Sequence, residues 1–99
     1  MSDECKTLDE VRDHIDRLDE EILALMAERA AYVTQAARFK DSREGVFDPV
    51  RVESIIEKIR SLATAKELSP DVAEATFRAM IKGFIEFEKG EFDRLHGSS

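Results

Sequence analysis

Ninety-nine residues limit the chain to a single small domain (1–99), one whose own core is modest enough that help from a second chain is expected. At 42% hydrophobic and 37% charged, with two prolines and four glycines, the composition argues against disorder and against an all-β fold, and favours helix. A net charge of −7 and a pI near 4.8 argue against nucleic acid or an anionic membrane as partners, so an anion would need a positive potential made locally, inside a pocket.

The opening residues, Met1-Ser2-Asp3-Glu4, are acidic and lead into no apolar run, so no secretory signal is expected. Cys5 is the single cysteine, which rules out an intrachain disulfide, and no Cys/His spacing suggests a metal. No stretch reaches the length of a membrane span, and the expected location is cytoplasmic.

Thr7-Leu8-Asp9-Glu10 fits a capping box and starts the first helix. Apolar residues recur every three or four positions at Leu8, Val11, Ile15, Leu18, Ile22, Leu25, Met26, Ala30 and Val33. No Gly or Pro intervenes before Gly45, so the spacing predicts a helix from residue 8 to about residue 40. Such a helix is about 50 Å long, whereas a compact chain of this size spans about 35 Å. Its apolar stripe would be left bare, and the economical cover is a second copy. The expected fold is therefore all-α, three helices per chain with one very long N-terminal helix, intertwined as a homodimer.

Residues 41–47 form a joint. Asp48-Pro49 and Ser69-Pro70 each read as a cap followed by a proline in the first helical turn, opening the second and third helices. The second helix buries Val52, Ile55, Ile56, Ile59, Leu62 and Ala63, then fades through Lys66-Glu67-Leu68. The third buries Ala73, Phe77, Met80, Ile81 and Phe84, with Phe92 and Leu95 beyond. Residues 1–6 and 97–99 are expected to fray.

Several charges fall where apolar residues belong. Arg12, Arg29 and Lys40 lie on or beside the first helix's apolar arc, whereas Arg17 and Arg38 lie on its polar side. Snorkelling stems are the plain explanation for any one of them, less so for three in an acidic chain. Arg51 lies beside the second helix's stripe, where an ion pair with Asp48 is the bland expectation. Glu88 projects near the centre of the third helix's apolar face, so it must pair with a cation or hold a proton. Arg12 and Arg29 are about 25 Å apart along one helix. Small ligands cannot bridge them, but antiparallel pairing of two first helices brings Arg12 of one chain toward Arg29 of the other.

The pattern Arg12-x16-Arg29-x10-Lys40, then Asp48-x2-Arg51, then a polar residue late in the third helix, resembles the all-helical chorismate mutases and their relatives, the isochorismate pyruvate lyases. The likeness runs over nearly the whole chain, including Leu18-Asp19 and the run from Leu23 to Arg29. It implies a dimer of intertwined three-helix chains with two active sites. It also implies roles: Arg12 of the partner copy and Arg29 on the substrate carboxylates, Lys40 on a carboxylate and the ether oxygen, Asp48 and Arg51 along the second-helix side, and Glu88 across the ether oxygen. Chorismate mutase activity is the implied function, and isochorismate pyruvate lyase or a non-catalytic metabolite-binding dimer are the alternatives. The implied substrate is a small dicarboxylate, chorismate or isochorismate. Its pericyclic rearrangement needs no cofactor, nucleophile or metal, only a compact conformer and cations aimed at the developing oxyanion.

Three features leave both chorismate and isochorismate open as the substrate. Val52 stands where typical mutases carry a Glu that binds the ring hydroxyl, and Glu53 points about 100° away from it. Phe84 replaces a small polar residue, and Arg38-Phe39-Lys40 looks closer to the lyases. Glu88 replaces the Gln of many members. A neutral acid there could donate to the oxyanion, so activity is expected to rise toward acidic pH and to lose that dependence in Glu88→Gln.

Overall fold

The computed structural model describes residues 4–97, and the fraying expected at residues 1–3 and 98–99 lies outside them. Among the described residues there are three α-helices and no strand: α1 (Leu8–Ala37), α2 (Pro49–Ala65) and α3 (Pro70–Leu95), with a 3-10 turn at Glu44–Val46. The chain divides after Tyr32 into two compact units.

The first unit holds most of α1. Its start follows from the capping box: Glu10 N–H donates to Thr7 Oγ1 at 3.1 Å. The reciprocal bond is displaced by one residue, because Glu10 Oε2 accepts from Lys6 N–H at 2.8 Å rather than from Thr7. Asp9 and Glu10 also oppose the positive end of the helix dipole. The stripe of Leu8, Val11, Ile15, Leu18, Ile22 and Leu25 stays between 39% and 66% exposed. Scattered apolar residues are normal on a surface, but a continuous row of six is not.

The second unit begins at Val33. Here α1 stops at Ala37, three residues short of the length expected from its sequence. Successive i→i+3 bonds tighten its last turn: Arg38 N–H to Gln35 O, Phe39 N–H to Ala36 O and Lys40 N–H to Ala37 O. The cause is tertiary. Ala37 is wholly buried, and its carbonyl also contacts His96 Nε2, 59 residues away, at 3.2 Å. Lys40 consequently lies beyond α1 and not on its face.

Local chemistry explains the remaining boundaries. Ser42 Oγ accepts from Gly45 N–H at 3.1 Å and shapes the 3-10 turn, which inserts Val46 into the core. Asp48 caps α2 by accepting from Arg51 N–H, and Ser69 caps α3 by accepting from Val72 N–H. At the end of α2, Leu68 N–H bonds Ala63 O and Glu67 N–H bonds Thr64 O, the two bonds of a Schellman motif. Glu67 takes φ +60° there, a conformation usually left to glycine. Ile56 and Ala63 of α2 and Ala73 and Ile81 of α3 are buried, with Val46 and Ala37 completing a thin core.

Candidate active site

In α3, Ile81, Phe84, Glu88 and Phe92 recur at three- and four-residue steps, so the helical repeat carries Glu88 onto the same face as the core residues. Glu88 is buried, at 9% exposure, and Lys40 Nζ lies 3.5 Å from its Oε2. Of the two ways to tolerate a carboxylate on that face, pairing with a cation is the one observed, and the cation is one of the predicted site residues. The contact is ionic rather than a short hydrogen bond, and Oε2 accepts no hydrogen bond among the described residues.

Three further ties fasten the segment around Lys40 to α3. Thr34 Oγ1 donates to Glu91 Oε1 at 2.7 Å, His96 Nε2 meets Ala37 O, and Arg43 Nε donates to Asp93 Oδ2 at 3.2 Å. Hydrogen bonds from Arg94 first, then Thr34, hold the Glu91 carboxyl below the usual carboxylate range. None of Thr34, Glu91, Asp93 or His96 was singled out from the sequence. Only the Glu91–Arg94 pair, three residues apart, had a local signal.

The other predicted residues are placed as follows. Arg12 is exposed and Arg29 half-buried, both on α1. The expected Asp48–Arg51 ion pair is not formed: Asp48 Oδ1 is committed to capping, and it is the Arg51 backbone N–H that it accepts from. Both side chains are exposed. Phe84 is half-buried and meets Phe87 edge-on at 5.9 Å. Val52 lines an open, largely apolar cavity of about 610 Å³ with Phe47, Ile81 and Ile85, and none of the other predicted residues lines it.

Glu53 and Arg78 stand at the same cavity and belong to a network missing from the sequence reading. Both guanidinium ends of Arg78 donate to Glu53 at 2.8 Å, and its Nε donates to Glu74 at 2.7 Å. Arg60 bridges Glu74 at 2.8 Å and Asp71 at 3.1 Å. The Arg78 hydrogen bonds hold the Glu53 carboxyl low. Those from Arg78 and then Arg60 do the same for Glu74, and Arg78 itself is pushed above its ordinary range. Glu53 is therefore engaged across α2 and α3, and Val52 keeps no carboxylate beside it from that neighbour.

The chain is 30% identical over 83 residues to an isochorismate pyruvate lyase of Pseudomonas aeruginosa, a match covering 84% of this chain and 82% of that protein. Residues 11–89 match the family described as chorismate mutase type II, and with that span the chain belongs to this family.

Proposed function

We propose that this protein catalyses a pericyclic reaction of a chorismate-type enolpyruvyl ether, with isochorismate preferred and chorismate the slower substrate. The observation that carries the proposal is the placement of Lys40: a cation drawn from a loop onto the inward face of α3 in an otherwise acidic chain. Its ammonium would bind a substrate carboxylate and the ether oxygen, and so stabilise charge that develops as the C–O bond breaks. Arg29, and Arg12 supplied by a second copy, would hold the two carboxylates in the compact conformer. Asp48 and Arg51 would line the second-helix side, and Phe84 would contribute apolar surface.

The preference for isochorismate rests on Val52 and Glu53. With valine at position 52 and Glu53 held by Arg78, neither of these positions offers a free carboxylate for the mutase substrate's ring hydroxyl. A buried donor without an acceptor costs about 1–3 kcal/mol. The matched lyase of Pseudomonas aeruginosa supports the same preference. In the lyase reaction a ring hydrogen passes to the enolpyruvyl methylene carbon as the ether C–O bond breaks, leaving salicylate and pyruvate. In the mutase reaction the same ether breaks while a new C–C bond forms, giving prephenate.

The exposed stripe of α1 supports a homodimer, since six large apolar side chains on one face are what a second copy of that helix would cover. The deciding experiment incubates purified protein separately with isochorismate and chorismate, and follows salicylate and prephenate. Faster salicylate formation is expected. Prephenate formation at the higher kcat/KM would overturn the preference, and no turnover of either substrate would leave a binding protein.

A further inference from the structure

We propose that His96, just beyond the end of α3, is a positioning residue for Lys40; its catalytic consequence rests on the reading of Lys40 as a substrate ligand. Ala37 O stands at the negative end of the α1 dipole and meets two donors. One is the N–H of Lys40 itself at 3.4 Å, the longest of the three bonds that close this turn. The other is His96 Nε2 at 3.2 Å. A carbonyl can only accept, so Nε2 carries a hydrogen in this contact.

His96 is itself held in place. Its ring stacks on Phe92 with centroids 4.0 Å apart and planes 21° off parallel, and its N–H donates to Phe92 O at 2.9 Å. Both groups that fix the turn thus come from one helix and its cap: His96 holds the backbone at Ala37, and Glu88 holds the ammonium of Lys40. Thr34–Glu91 and Arg43–Asp93 tie the segment on either side, so losing the His96 bond leaves it attached to α3. What is lost is the orientation of the peptide that aims Lys40, and misplacing a catalytic group by about 1 Å can cost up to a hundredfold in rate.

The test compares His96→Phe, which keeps a ring to stack on Phe92 but has no donor, with His96→Gln, which keeps a donor without the ring. Amide hydrogen exchange at Lys40 is measured alongside kcat, KM and the thermal midpoint. In His96→Phe the Lys40 amide is expected to exchange faster. Its kcat is expected to fall about tenfold with KM changed less, and the midpoint is expected to move little. His96→Gln is expected to restore slow exchange and most of kcat.

Wild-type exchange at Lys40 in His96→Phe overturns the proposal whatever the activity. So does faster exchange with unchanged kcat, or a His96→Gln variant as impaired as His96→Phe. If the wild type turns over neither substrate, the functional reading fails, and exchange alone then decides whether His96 positions Lys40.

Discussion

Replacing Glu88 with glutamine tests what the Lys40–Glu88 pair does. At 3.5 Å and an effective dielectric of about 20, the gross attraction is about 5 kcal/mol. Desolvation offsets most of that: the Glu88 side chain is 12% exposed and Lys40 30%, between a surface pair and a buried one. A net contribution of about 1–2 kcal/mol follows. Glutamine keeps the shape and loses the charge, so Glu88→Gln is expected to lower the thermal midpoint by about 4–8 °C per kcal/mol lost.

Binding of the dianion is expected to move the other way. If Lys40 binds the substrate, Glu88 would compete with it for that ammonium in the wild type and would repel its carboxylates. At about 7 Å and a dielectric between protein and water, that repulsion is about 1–2 kcal/mol, or roughly tenfold in affinity. Calorimetric titration with a dicarboxylate transition-state analogue, run beside a thermal scan, reads both quantities. A less stable variant that binds about tenfold tighter is the expected result. A Glu88→Gln variant that binds the dicarboxylate more weakly than the wild type refutes the competition.

Leu18→Glu places a charge in the exposed stripe of α1. It is expected to convert a dimer to monomers in sedimentation and to lower kcat/KM by at least about a hundredfold, by withdrawing the partner's Arg12; a monomeric wild type of full activity contradicts this. Glu67→Gly relieves the positive φ in the Schellman motif and is expected to add about 0.5–1 kcal/mol of stability by denaturant titration. Because Glu53 and Glu74 are held below the usual carboxylate range, their contribution is complete above that range and is lost as pH falls through their lowered values. The thermal midpoint should therefore drop below about pH 5, and drop less steeply in Arg78→Met.

The helices and their caps were legible because each rests on adjacent residues: Thr7 with Glu10, Asp48 with Pro49, Ser69 with Pro70. The end of α1 was not, because no nearby glycine or proline marks it, and the group that meets Ala37 O lies at position 96. Lys40 was found as a misplaced cation, yet for a partly mistaken reason, since projecting it onto α1 assumed a helix that has already ended. Glu88 was legible as a carboxylate on an apolar face, and its partner emerged only from the fold. The Asp48–Arg51 pair failed because an aspartate before proline has a stronger local demand, the unsatisfied N–H groups of the helix start. Glu53 looked like a near neighbour of a site position, and only the packing of α3 shows Arg78 holding it.

Among the arginines, though not for Lys40 with its Glu88 partner, ion pairing sorts those that hold the fold from candidates for a ligand. Arg17, Arg43, Arg60, Arg78 and Arg94 each meet an aspartate or glutamate within 3.2 Å. Among the described residues, Arg12, Arg38 and Arg51 form no ion pair, in a chain with 22 acidic residues. Nothing in the described structure depends on their charge, so Arg12→Gln is expected to leave the monomer's fold intact and to change unfolding stability by no more than about 0.5 kcal/mol. If Arg12 holds a substrate carboxylate from the partner copy, the same change should reduce kcat/KM by two to three orders of magnitude, about 3–4 kcal/mol. Arg78→Met should do the reverse, costing stability first and acting on turnover only through that loss and through the Glu53 carboxylate it frees. Equal losses of stability and activity in both variants would mean that pairing within the chain does not distinguish structural cations from functional ones. A stable, inactive Arg12→Gln protein that still dimerises would place that arginine's charge on the substrate.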